Sequence, residues 1–361
     1  KIIMKINILG DGLVSLTLAK MLVNEGIYVD LIYNRKIKNI NKIRTIGITK
    51  TNLDFFNKKI LDISKLSWEI DKIEISLEKL KKKSLKKLEN NGKLFSIIKN
   101  YKLYDLLNKN LKKNKFFKKK KLSLSKNLNN NNQIIINCDP KCELTKKFFY
   151  KSIKKNYKSI AYASVIKHKK IEKNNIAYQV FTKFGPIAFL PISEFETSIV
   201  YSVKKIYNLK IGDIIKLVKK YNPKYFITNF EKFENFELIS SNLRYYSHKN
   251  ILAFGDLLHR VHPLAGQGFN MSLRDIKQLN KLIKNRINLG LEIDRSIIFE
   301  FEKKFKHKNF IFSSGIDLVY EFFNFESKIK NNQLGKIIKF LGKNKSLNNI
   351  LTTIADDGIP A

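Results

Sequence analysis

At 361 residues, 43% hydrophobic and 12% aromatic, the chain can build one large domain or two intergrown ones around a buried core, which excludes wholesale disorder. Its 70 Lys and Arg against 31 Asp and Glu leave a formal charge of +39, which ordinarily raises nucleic acid or an anionic membrane as a partner. No nucleic-acid motif accompanies the charge, so nucleic acid is set aside; heavy use of Lys, Asn, Ile, Phe and Tyr points to codon composition, with attraction to acidic lipid or an acidic partner as the alternative. Cys138 and Cys142, spaced C-x3-C with no second pair, make neither a disulfide framework nor a zinc site, and suit a reducing cytoplasm with no metal. No run approaches the ~20 apolar residues needed to span a bilayer, so any action at a membrane is expected at its surface. The apolar run Ile6 to Leu9 is broken at once by Gly-Asp-Gly and makes a poor signal peptide.

Along the chain, Lys5 to Leu9 alternates like a strand and runs straight into Gly10-Asp11-Gly12. Leu13, Leu16, Ala19, Met21, Leu22 and Val23 then fall mostly on one helical face that ends at Gly26, and Ile27 to Tyr33 is strand-like again, which predicts a βαβ unit. From Ser64 to Leu122 the signal is mixed. It gives a strand at Lys72 to Leu77, a lysine-rich hairpin or helix after it, and a helix around Lys102 to Leu111. The run Lys112 to Lys121 reads as a solvated hairpin, with phosphate binding as the alternative. Three isoleucines in Gln133 to Cys138 suit a parallel strand covered on both faces. Four strand-like runs, Ile160 to Ile166, Ile176 to Phe181, Ile187 to Pro191 and Thr197 to Val203, are separated by turn signals and predict an antiparallel meander. A helix from Gly212 to Tyr221, another strand-rich stretch, and a buried strand at Ile251 to Phe254 follow, with helices from Asn270 onward. In the last of these, Ile311, Phe312, Ile316, Leu318, Val319, Phe322 and Phe323 form an apolar face that reads as core, with lipid contact as the alternative.

Chemistry concentrates in two segments. In Gly10-Asp11-Gly12-Leu13-Val14-Ser15, Gly10 and Gly12 permit a tight turn and close approach of a pyrophosphate to the N-terminus of a helix, where free amides and the dipole favour anions. Ser15 stands where a third glycine would serve close packing, and Tyr33-Asn34 stands where an acid would hold a ribose; Asp30 comes too early. The second segment spans residues 251–275. Asp256, at a strand end, can accept hydrogen bonds from a sugar alcohol, Pro263 stiffens the turn, and Gly266 and Gly268 admit a ligand close to the backbone. The helix starting near Asn270 points its amides at whatever lies there. His262 and His259 read as packing residues, with a proton relay as the alternative for a histidine beside a cofactor.

Gly255, Asp256, His259, Pro263, Gly266, Gln267, Gly268 and Asn270 stand in register with the second FAD motif of the para-hydroxybenzoate hydroxylase-like flavoprotein monooxygenases, and the segment resembles most the ubiquinone-biosynthesis hydroxylases. More thinly, Arg44 to Thr49, Trp68 and Gly185 to Pro191 resemble the same family. One departure stands out: where the family has G-A-D-G, this chain has Asn137-Cys138-Asp139-Pro140. The resemblance implies an α/β fold in which a discontinuous Rossmann-like FAD-binding domain (1–64, 85–158 and 241–361) receives an inserted antiparallel β-sheet substrate domain (65–84 and 159–240). It implies FAD contacts at Gly10, Gly12, Leu13, Val14, Arg44, Asp139, Gly255, Asp256, Pro263, Gly266, Gln267, Gly268, Phe269 and Asn270, with Pro263 and His262 near the flavin ring. The implied reaction is hydroxylation of an aromatic ring, that of a polyprenylated phenol in ubiquinone biosynthesis. NADH or NADPH serves as reductant and molecular oxygen as co-substrate, through a flavin C4a-hydroperoxide. Other ubiquinone-biosynthesis proteins would be partners, in the cytoplasm or at the inner face of the cell membrane. The rival expectation, prompted by Ser15, Tyr33 and Pro140, is a flavin-binding or degenerate non-catalytic subunit that scaffolds such a complex.

Overall fold

The computed structural model describes residues 5–34, 41–78, 86–89, 94–121, 133–263 and 266–326. The lysine-rich stretch expected after Leu77 lies mostly outside them, as do the side chains of Val319, Phe322 and Phe323 and all of 327–361.

Three buried hydrophobic strands found the first layer. β1 (Lys5–Leu9) pairs in parallel with β2 (Tyr28–Tyr33) on one side and β9 (Ile134–Asn137) on the other. All four residues of β9 are buried, as three consecutive isoleucines demand of a strand covered on both faces. β8 (Phe117–Lys121), β17 (Ile251–Ala253) and the antiparallel edge β16 (Ser247–His248) complete the order β16-β17-β9-β1-β2-β8. Numbering the parallel strands by sequence gives 3-2-1-4-5, the doubly wound order of a Rossmann-like sheet, whose switch point falls between β1 and β9. Helix α1 (Leu13–Asn24) is buried from Ser15 to Val23, because α3 (Asn100–Lys112) and α6 (Gln267–Asn288) cover the sides that the sheet leaves open.

The second layer is a larger sheet. Its strands are β5 (Lys72–Leu77), β6 (Lys86–Glu89), β10 (Ser152–His168), β11 (Ile176–Thr182), β12 (Gly185–Pro191), β13 (Glu196–Lys204), β14 (Ile227–Phe230), β15 (Glu234–Leu243) and β18 (His259–Arg260). They run in the order β18-β15-β10-β13-β12-β11-β5-β6, with β14 also beside β10. The expected meander differs in one respect: β10 pairs with β13 and not with its sequence neighbour β11. The free edge of β11 is taken by β5 in parallel, Ile176 opposite Lys72, so the chain after β10 must cross to the far side. Asn174 pins that crossing from a fully buried position by donating to Ser193 O, while its backbone carbonyl accepts from Trp68 Nε1 at 2.7 Å. Helix α5 (Ile211–Tyr221) packs Ile214 and Val218 onto Tyr201, Phe189 and Ile199 of this sheet.

A small antiparallel sheet, β3 (Thr45–Thr49), β7 (Phe95–Lys99) and β4 (Trp68–Ile70), and helix α2 (Lys50–Lys59) lie between the two layers. The short α4 (Glu143–Phe148) follows β9, and the long α7 (Ser296–Glu326) closes the junction. Elements overrun the domain edges expected from sequence: β10 starts at Ser152, β15 ends at Leu243, and β6 and β18 join the second sheet. The apolar face of α7 divides. Phe312 and Ile316 pack with Met271 and Val261, whereas Ile311 and Leu318 face solvent. No helix among the described residues is long and apolar enough to cross a membrane.

Candidate functional site

The loops that follow β1, β9 and β17 emerge side by side at the carboxyl edge of the parallel sheet, where doubly wound folds bind ligands. Gly10 closes the first: its N–H donates to Ile32 O, and a side chain there would press on Asp139 and Ser15. Gly12 caps α1 with no side-chain bond to the helix amides, and a Cβ on it would meet open space. Leu13 and Val14, half-buried, form the first turn of α1. Gly255 must be glycine, since φ is +65° and a Cβ would lie 2.9 Å from Val14 Cγ1. Asp256 follows in a single helical turn, Gly255–Leu257, exposed and without a hydrogen bond or ion pair among the described residues, so its carboxylate is available to donors.

Between them stands Asn137-Cys138-Asp139-Pro140. Buried Asn137 accepts from Asp139 N and donates to Thr145 Oγ1, while the Asp139 carboxylate accepts from Lys141 N at 2.8 Å. Burial foremost, opposed by a bond from Ser15 and reinforced by the Asp256 and Asp139 carboxylates, pushes the Cys138 thiol up to about 12. It is a protonated thiol at neutral pH and no nucleophile.

The other wall is the start of α6. Gly266 (φ +65°) caps it in left-handed conformation, again with no side-chain cap, and a Cβ there would touch Gly47 N of β3 at 3.4 Å. Asn270 staples this approach. Its Oδ1 accepts from Thr49 N and Asn52 Nδ2, each at 3.0 Å, and its Nδ2 donates to Gly47 O and Gly266 O. The resemblance implies a cofactor contact at Asn270; all four bonding positions of its amide are occupied by protein. Phe269 belongs to the buried core, Gly268 leaves open space where a Cβ would be, and Gln267 Oε1 is buried without a partner among the described residues. Arg44, exposed, holds its guanidinium 5.1 Å over the Phe236 ring of β15.

Pro263 is half-buried and accepts from Gly266 N. Beside it His262 is sealed between Tyr157 (4.8 Å, edge-on) and Tyr320 (4.3 Å), and burial with Lys155 nearby pushes its imidazole down to about 3. Tyr157 donates to Asp317 of α7, whose other oxygen accepts from Ser240. His259 is structural: Nε2 lies 2.5 Å from Asp275 Oδ2, both side chains buried.

Sequence reasoning missed what surrounds Asp11. Its side chain is 2% exposed; it accepts from Tyr104 Oη at 2.9 Å and pairs with Lys119 Nζ at 2.6 Å. Burial and the Asp11 carboxylate push the Tyr104 phenol up, so it remains a donor. A carboxylate between the turn glycines was the signal that a buried cation had to be found.

The fit to a flavin dinucleotide rests on these features: two helix N-termini with uncapped amides, glycines opening space at Gly12 and Gly268, an unengaged Asp256, and an orphaned Gln267 oxygen. The fold is that of the FAD-dependent monooxygenases. It matches p-nitrophenol 4-monooxygenase from Pseudomonas putida with a TM-score of 0.81 over 99% of this chain and 100% of that one, at 11% identity. It matches HpxO of Klebsiella pneumoniae, solved with FAD and uric acid, with a TM-score of 0.71 over 98% and 96%, at 12% identity. In sequence the chain is similar to the 3-demethoxyubiquinol 3-hydroxylase of Escherichia coli, 28% identical over 155 residues, 41% of this chain and 39% of that protein. It is likewise similar to the mitochondrial ubiquinone biosynthesis monooxygenase of Danio rerio, 26% identical over 210 residues, 46% and 43%. The matches span about two fifths of the length of these curated relatives. No family model matches the chain.

Proposed function

We propose that the chain binds FAD along the trough from Gly12 to Gly268 and is a monooxygenase that hydroxylates the ring of a lipophilic phenol in ubiquinone biosynthesis. NADH or NADPH is the reductant and molecular oxygen the co-substrate. The observation that carries the reading is the convergence of the Gly10 turn, the Asp139 loop and Gly255, from three distant parts of the sequence, on one edge of a doubly wound sheet.

The flavin, when bound, supplies the redox chemistry of oxygen activation. The chain's own residues bind and orient. Amides at the start of α1 would hold the pyrophosphate, and Asp256 would accept from ribityl hydroxyls. Amides at the start of α6 would favour negative charge on the ring. Buried His262 is a neutral imidazole at neutral pH and so no acid catalyst, and together with Tyr157 and Tyr320 it keeps the side next to Pro263 dry.

Purified protein is expected to show a visible flavin spectrum that NAD(P)H bleaches and air restores. A colourless protein that cannot be reconstituted with FAD would sink the enzyme and favour the second reading, a non-catalytic subunit of a biosynthetic complex. That reading is supported by Pro140 and by an Asp139 carboxylate already engaged by its own turn.

The same reading has the enzyme in the cytoplasm, working against the inner face of the membrane that holds its substrate. Tyr150 (62% exposed) and Tyr245 (58%) flank Lys147 and Lys151, and Lys306 of α7 covers Tyr245, with Phe299 and Phe310 exposed on the same side of that helix. Aromatic rings among cations suit an anionic interface. Flotation with anionic vesicles should exceed that with neutral ones; equal recovery would remove the electrostatic attraction.

A further inference from the structure

Dinucleotide folds of this order hold the adenosine ribose between the first glycine turn and the end of the second strand, usually with a carboxylate that accepts from the ribose hydroxyls. Here that strand ends in Tyr33 and Asn34. Asp30 cannot serve in its stead. Three residues before the strand end it points to the opposite face from Tyr33, where Lys5 (2.8 Å) and Lys120 (2.7 Å) hold it.

Among the described residues, the cation that stands there is Lys119. It lies opposite Leu31 in the β2–β8 ladder, so it rises on the same face as Leu31 and Tyr33. Its side chain, 15% exposed, runs forward to set Nζ 2.6 Å from Asp11 Oδ1, 3.4 Å from Asn108 Oδ1 and 5.5 Å from the Tyr33 ring centroid. The ammonium is thus fixed between the residue at the centre of the glycine turn and the last residue of β2. Asp11, held from its other side by Tyr104, sets its position. Two acceptors leave one of its three N–H donors unused among the described residues.

We infer that Lys119 reads the adenosine ribose of the dinucleotide, with the usual polarity reversed: the ammonium donates to ribose oxygens where a carboxylate would accept from ribose hydroxyls. This inference rests on the flavin reading above and adds the residue that distinguishes FAD from flavins without an adenosine half. The cation also offsets Asp11, whose charge would otherwise face the pyrophosphate.

FAD and FMN affinities of the holo-competent full chain, measured by quenching of flavin fluorescence, test this. FMN keeps the ring and one phosphate but has no adenosine. Lys119→Met should weaken FAD roughly tenfold, the loss of about one charge-assisted hydrogen bond, and leave FMN within about twofold. Lys119→Met combined with Asp11→Asn leaves no lone buried charge, so it guards against misfolding, and it should stay as weak for FAD as the single variant. Recovery of FAD affinity in the double variant would overturn the inference, because Lys119 would then only neutralise Asp11. Equal losses for FAD and FMN would overturn it too. A wild-type chain that binds neither flavin would instead overturn the flavin reading, and this inference with it.

Discussion

Replacing Asn270 with alanine is expected to destabilise the chain by about 4 kcal/mol, since it strands several buried polar groups at once and each costs about 1–3 kcal/mol, partly offset by water. The Thr49 amide and the Gly47 and Gly266 carbonyls lose a partner, and Asn52 keeps only its bond to Thr49 Oγ1. The loss is also positional. Asn270 is what holds β3 against the left-handed cap of α6, so the gap between Gly47 and Gly266 opens and any ligand on the α6 amides goes with it. Urea unfolding should give a lower midpoint with an unchanged slope, as a change of stability without a change of exposed surface requires. Asn285→Ala, exposed on the same helix, is the control and should shift stability by less than about 0.5 kcal/mol. Equal, small effects of the two substitutions would show that the four bonds of Asn270 contribute nothing net.

Asn270 also marks where the sequence stops being readable. The segment from Gly255 to Asn270 is contiguous, and its glycines and carboxylate announce a ligand site without any tertiary knowledge. The duties of Asn270 and His259 depend on Thr49, Asn52 and Asp275, which no local pattern brings to them. The same division runs through the fold. β1, α1 and β9 are legible because each buries a periodic or unbroken apolar set around itself. β3 is not, because it is short, half-polar and completed only by β7, with Thr45 opposite Lys99. The first half of β10, Ser152 to Lys158, is too polar to read as strand and is held by β15.

The run Lys112 to Lys121 misleads for a related reason. Phe117, in the middle of its charges, is buried against the core and anchors an edge strand where a solvated hairpin was expected. What turns Lys119 and Lys120 from solvated charges into structural ones is a pair of carboxylates, Asp11 and Asp30, on other segments of the chain. Composition explains why lysine is abundant; only topology explains why these two are engaged.

Acid should expose His262 as a second stability determinant. The folded chain holds its imidazole neutral, at about 3, while the unfolded chain binds a proton near 6.5. A depressed folded value means that this contribution is complete above the unfolded value and is lost as pH falls towards the folded one. Stability should therefore drop by about 1.4 kcal/mol per pH unit below 6.5 on account of this one proton. Asp30, Asp62, Glu78 and Asp294, whose carboxyls are also held below their ordinary range, lose their contributions as pH falls through the carboxylate range, and they are common to wild type and variant. His248 is also held below its ordinary value, by partial burial and by Lys249 and Lys147, but it is common to wild type and variant. The difference in unfolding free energy between wild type and His262→Asn, followed by urea melts from about pH 7.5 to 4.5, isolates His262. It should change steadily below 6.5 in favour of the variant. A difference that stays constant with pH would mean that the pocket of Tyr157 and Tyr320 admits the charged ring, and that the side of the site next to Pro263 is not dry.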